Sequence, residues 1–177
     1  MIVLKRRITK EECEQLYKEY DTPPHVIRHC QAVSSTALRI AEELNKKGYD
    51  LDTDLIKGAG LAHDVARLAD DHAAEGAKIL RGLGFDDEAD IVGVHMTYDF
   101  NPFEELNETD MVCLADRLVK EDEYVGLDER IEYLIHKRNR PEGFEDKIMD
   151  KKAETRAFMD KIEAVIGKSI DSLFKKG

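Results

Sequence analysis

The stretch LAHDVARLADDHAAEGAKIL, residues 61–80, decides the reading of the chain. Leu and Ala recur on one side of a helical projection and charge on the other, with no strand-like alternation. Within it His63 stands beside Asp64 where apolar periodicity predicts burial, and acid and imidazole recur together at Asp71 and His72. The doublet alone is background, since this composition gives about 0.6 His-Asp neighbours by chance. Its weight comes from the helices around it.

Working outward, the same periodicity continues in both directions. A short helix covers KEECEQLYKEY, residues 10–20. Thr22 is expected to cap a second, opened by Pro23-Pro24 and carried by Val26, Val33, Ala37, Ile40 and Leu44 to Gly48. Asp52 starts a third, expected to run to about Leu68, and Asp71 starts another that ends at Gly82. Asp86 or Asp87 opens the next, to about Met96; MTYDFNPFEELNE then reads as a loop punctuated by Asn101-Pro102. Thr109 is expected to begin a helix through Met111, Val112, Leu114 and Leu118, and Asp128 one that ends before Pro141. Between them KEDE, residues 120–123, reads as a solvated connection. Phe144, Ile148, Phe158, Ile162 and Val165 mark a long last helix broken at Gly167. No repeat, low-complexity tract or linker interrupts the chain, and its four prolines sit at joints. The expectation is an all-α, single-domain helical bundle over residues 1–177.

Composition narrows the function. The 177 residues suffice for one core. Against 38 acidic residues stand 27 basic ones, a net charge of −11. That surface repels nucleic acid and anionic lipid, so neither is an expected partner, although a small anionic substrate could meet cations inside a pocket. Hydrophobic runs are too short to span a membrane, and MIVLKRR is no signal peptide. Cys13, Cys30 and Cys113 are odd in number, widely spaced and set among apolar residues, which points to reduced thiols in a cytoplasmic protein.

Helical neighbours lie three and four positions apart, and this places His29, His63, His95 and Asp116 on or beside core-facing stripes. For a single histidine, a satisfied core role explains the position. Asp116 is harder to explain, because an ionised carboxylate buried without a partner costs several kcal/mol. A salt bridge to Lys120 or Arg117 is one solution. A divalent cation is the other: it neutralises carboxylates and uses imidazole nitrogens at once. Ligands from separate helices are normal for metal sites inside bundles.

The order of these residues resembles the HD superfamily of metal-dependent phosphohydrolases, whose minimal pattern is H…HD…D. RHCQAVSSTALRIA carries the first His, IKGAGLAHDVARL the doublet and MVCLADRLVK the last Asp, so the resemblance covers roughly residues 22–120, with C-terminal helices at 128–177 packing on that core. DHAAEGAKIL and IVGVHMT resemble the extra histidines of the two-metal branch, H…HD…H…H…D, which includes bacterial symmetrical diadenosine tetraphosphate hydrolases and cyclic-dinucleotide phosphodiesterases. The GYP segment of the latter is not found. The resemblance implies that His29, His63, Asp64 and Asp116 hold one metal, and that His72 and His95 hold a second with Asp64 bridging. Asp64 and Arg67 would be the catalytic pair. Many members have Lys where this chain has Arg67, one turn after His63 and able to reach a phosphate with a planar fork; an ion pair with Asp70 or Asp71 is the alternative.

Two cations about 3.5–4 Å apart can share and activate a water while clamping a phosphoryl oxygen. Four imidazoles with two carboxylates suit Fe, Mn, Ni or Zn better than Mg. Gly60 and Gly76 either thin the helix walls beside that site or let helices pack closely, and the helix start at Asp71-His72 would direct N–H groups toward an anion. His25 reads as a surface residue at a helix start or part of a pocket mouth, and His136 in LIHKRNR as solvated. The expected function is hydrolysis of a phosphate ester or anhydride of a small nucleotide-like substrate. A single-metal nucleotidase and a catalytically silent metal- or nucleotide-binding module are the alternatives. The last helix is expected to pack on its own domain, with a homodimer left open.

Overall fold

Thr9 caps the first helix with a reciprocal capping box to Glu12, and the expected helices follow in order in the computed structural model, which describes residues 4–137 and 139–174. The first three residues of MIVLKRR, Arg138 of LIHKRNR and residues 175–177 of the expected domain lie outside these. Among the described residues the class is all-α: α1 (Lys10–Glu19), α2 (Pro24–Lys46), α3 (Thr53–Ala62), α4 (His72–Gly82), α5 (Asp86–Val94), α6 (Glu108–Leu118), α7 (Leu127–His136) and α8 (Phe144–Ile166). No described helix is long and apolar enough to cross a membrane.

Two apolar clusters meet along α3. Ile56 and Ala59 join Val33, Ile40 and Leu44 of α2, Leu118 of α6 and Phe158 and Ile162 of α8. One turn on, Leu61, Ala62 and Val65 join Leu16 and Tyr17 of α1, Leu80 of α4 and Val92 of α5. Each large side chain so buried contributes roughly 1.5–3 kcal/mol, and the His63-Asp64 doublet lies at the end of the helix both clusters share. The glycines serve this packing. A Cβ on Gly60 would lie 2.7 Å from the Ser34 Cα of α2, and one on Gly76 3.0 Å from a Val92 methyl of α5. Of the two explanations for them, close helix approach is the one the contacts support.

Several boundaries differ from expectation, each for a visible reason. The third helix stops at Ala62 instead of Leu68, and tight turns carry the chain through residues 63–69. Side chains capture its carbonyls: the His63 Nδ1–H donates to Gly60 at 2.7 Å, the Tyr17 hydroxyl to Leu61 and the Thr22 hydroxyl to Val65 at 2.7 Å. Thr22 therefore does not cap α2, whose N-cap position is Pro23 without a side-chain bond. At α6, Asn107 rather than Thr109 sets the start, in a capping box with Asp110. Asp71 caps α4 as expected, and α8 ends at Gly167 in the left-handed region (φ 74°). KEDE forms a turn instead of a plain connection: β1 (Val119–Lys120) pairs antiparallel with β2 (Glu123–Tyr124).

Candidate metal centre

Three histidines are fixed by the same device. His63 and His95 both follow directly on a helix end, and each donates its Nδ1–H to the carbonyl three residues back, Gly60 at 2.7 Å and Val92 at 2.6 Å. His29, within α2, points its Nδ1 at the Glu121 carbonyl, 2.7 Å away. Glu121 sits in the β1–β2 turn at φ 56°, a left-handed conformation that a non-glycine residue adopts only under local strain, and the turn aims its carbonyl at this ring. A carbonyl can only accept, so in each ring Nδ1 carries a proton and Nε2 is left facing inward, with a lone pair whenever the ring holds only that proton.

Those lone pairs converge on carboxylates. Asp64 Oδ2 lies 3.5 Å from His63 Nε2 and 3.7 Å from His29 Nε2, while its Oδ1 lies 3.3 Å from His72 Nε2 and 3.2 Å from His95 Nε2. Asp116 Oδ1 is 3.0 Å from His29 Nε2 and 3.5 Å from His63 Nε2. The sequence-expected set, His29, His63, Asp64, His72, His95 and Asp116, is thus brought together completely. His63 Nε2, His95 Nε2 and Asp64 Oδ1 are buried without a hydrogen-bond partner among the described residues. Lone pair facing lone pair in a buried site requires something positive between them, either extra protons or a cation. Two groups, His29 with His63 and Asp116, and His63 with Asp64 and His95, are close enough for one ion each. The donor chemistry therefore fits divalent metal.

Electrostatics point the same way. Burial acts to raise the carboxyl pKa values, yet His63 and its neighbours hold Asp64, and His29 with His63 hold Asp116, well below the ordinary range. Burial acts to lower the His63 pKa, but the Asp64 charge overrides it and raises the value well above the ordinary one. The centre is built to hold positive charge. The expected alternative partners of Asp116 are engaged elsewhere: Lys120 pairs with Glu129 at 3.9 Å, and Arg117 donates to the Tyr98 carbonyl and stacks on Phe100.

Above this floor opens a cavity of about 740 Å³. Arg67 lies exposed at its edge, with no ion pair to Asp70 or Asp71 among the described residues. His25 lines the mouth and is exposed, so both readings of it hold. His136 is solvent-exposed beside Glu132. The start of α4 does not offer itself to an anion, because the Asp71 carboxylate already accepts the Ala74 N–H at 3.2 Å and brings its own negative charge. Cys13, Cys30 and Cys113 are buried and unbridged, and burial pushes the Cys13 and Cys113 thiols up to about 12, which leaves both protonated. Sequence reasoning missed Arg130. Its side chain enters the cavity from α7, where Arg130, Tyr133 and Leu134 form one helical face with Lys137 just past its end. Their spacing of three, four and seven was the signal available.

With this geometry in place, comparison identifies the class. The profile of the HD domain family matches residues 26–165, and the chain belongs to that family. HD domains bind divalent metals and act in general as metal-dependent phosphohydrolases. Among relatives, an uncharacterised protein of Methanocaldococcus jannaschii is 39% identical over 71 residues, covering 38% of this chain and 42% of that one. A tRNA (cytidine(56)-2'-O)-methyltransferase of Picrophilus torridus is 23% identical over 186 residues, covering 94% of this chain and 50% of the relative. The chain thus spans half or less of the length of each. No solved structure shows significant similarity.

Proposed function

We propose that this protein hydrolyses a phosphate ester or anhydride of a small nucleotide-like substrate with two divalent cations. The observation that supports it most is the division of Asp64: Oδ2 faces His29 and His63, Oδ1 faces His72 and His95. On this reading His29, His63, Asp64 and Asp116 would hold one cation, and Asp64, His72 and His95 would hold the other. Cations bound there would supply Lewis acidity toward a phosphoryl oxygen and toward water. Fe, Mn, Ni or Zn suits the donor set.

The chain's own residues set the geometry of the reaction. The carbonyls of Gly60, Val92 and Glu121 lock three rings so that Nε2 faces inward, which removes the reorganisation that freely turning rings would need. Asp64 and Asp116 stay ionised under burial and fix where positive charge collects. Arg67, free of the expected acidic partners at the rim, orients the incoming phosphate. Hydrolysis then joins a water oxygen to phosphorus as the bond to the leaving oxygen breaks.

A panel of phosphomonoesters, dinucleoside polyphosphates and cyclic dinucleotides, assayed with added Mn²⁺ or Fe²⁺, tests this. Turnover of at least one class, abolished in Asp64→Asn, is the expected result. Silence across the panel in metal-loaded protein contradicts it and leaves a binding module in its place.

A further inference from the structure

The α7 wall of the cavity carries a charge that no ion pair answers among the described residues, although the Asp116 carboxylate acts on it through space. Arg130, the fourth residue of α7, has two guanidinium nitrogens, Nε and Nη1, buried without a hydrogen-bond partner among the described residues. No ion pair forms to it among those residues, and its guanidinium carbon lies 5.5 Å from the centre of the Tyr133 ring. Of the carboxylates that line the same cavity, Asp122 pairs with Arg28 at 3.5 Å, Asp64 and Asp116 face imidazoles, and Glu121 forms no ion pair with Arg130 among the described residues. A half-buried, unanswered guanidinium is unfavourable in the free protein by an amount that an anionic ligand recovers on binding. Lys137, just past the end of α7, and Arg140 line this wall as well. In a chain of net charge −11 such a cationic surface inside one cavity is a local reversal of the whole.

We propose that Arg130 is the specificity-determining residue of this cavity: it holds a second, non-scissile phosphate of the substrate while the first lies on the metal floor. The inference rests on the reading of the cavity as a phosphate site. The volume of about 740 Å³ accommodates more than one phosphoryl group and its substituent. Arg130 serves as a positioning residue because its planar fork fixes both the distance and the orientation of the second group.

The test uses ligands that cannot be hydrolysed. Metal-loaded wild type, Arg130→Met and Arg130→Lys are titrated calorimetrically with methylenediphosphonate and with methylphosphonate, and metal content and far-UV circular dichroism are measured afterwards. Wild type is expected to prefer the diphosphonate by at least about tenfold, and Arg130→Met to weaken diphosphonate binding by about 10- to 100-fold, the scale of a hydrogen-bonded charge. Methylphosphonate affinity is expected to change by less than about threefold with metal content retained, a split that a merely structural role would not produce. Arg130→Lys keeps the charge without the fork and is expected to recover part of the loss; if the Met variant does not fold, Lys carries the comparison with a loss of about tenfold. A wild type without preference, or variants that weaken both phosphonates equally or neither, overturns the assignment. Binding that depends on Arg130 in a protein silent on the substrate panel overturns the hydrolase reading alone. Turnover with binding indifferent to Arg130, or with neither phosphonate bound, overturns this inference alone, and a wild type that neither binds a phosphonate nor turns over the panel overturns both.

Discussion

The floor of the cavity and its α7 wall are charged by opposite rules. On the floor, five residues from α2, α6 and the ends of α3 and α5, with His72 from α4, crowd lone pairs and negative charge together under burial. On the wall, Arg130, Lys137 and Arg140 gather positive charge, and none of the three forms an ion pair among the described residues. Each is unfavourable alone. A cation satisfies the first and an anion the second, so the two surfaces together describe a metal-held phosphorylated ligand better than either does separately.

Perturbing the floor should have the largest effect. Asp64→Asn removes the charge both imidazole groups face and should cut turnover by at least about a thousandfold, several kcal/mol of metal catalysis; steady-state kinetics with metal analysis checks this. His72→Ala touches only the Oδ1 side and should lower turnover about a hundredfold while the Oδ2 side keeps its ion. Equal metal loss from both sides would mean that the floor is not divided as Asp64 divides it.

Behind the floor, Gly60→Ala forces a methyl against the Ser34 backbone and should destabilise by about 1–3 kcal/mol, read in denaturant unfolding. Loss of metal in that variant under native conditions would tie floor geometry to helix spacing. Glu43 is the control remote from both surfaces. Lys46 and Lys168, together with Arg39, hold its carboxyl at about 2 against an ordinary 4.5. A depressed value means stability present above pH ~4.5 and lost as pH falls toward 2. Glu43→Gln should therefore lower the melting temperature at neutral pH by about 2–4 °C and flatten its acid limb between those values, leaving metal content alone.

The two surfaces also differ in how much the sequence revealed. Residues of the floor stood out because imidazole and carboxylate on core-facing stripes violate a rule, and His29, His63, Asp64, His72, His95 and Asp116 do come together. What holds them was hidden: three backbone carbonyls orient the rings, and no residue type advertises a carbonyl. Captured carbonyls also ended α3 at Ala62: hydroxyls of Tyr17 and Thr22 arrive from distant sequence at Leu61 and Val65 and override local periodicity. Arg130 was missed for a different reason. An arginine on a helix of an acidic, charge-rich chain looks solvated until the fold lays that helix over a cavity.

The division of Asp64 between two ions is most directly tested by counting metal in protein purified without chelator and reconstituted with Mn²⁺ or Fe²⁺, by mass spectrometry of the digested sample. Two equivalents per chain, falling to one in His72→Ala, are expected. A single equivalent in the wild type, unchanged by His72→Ala, would contradict the account.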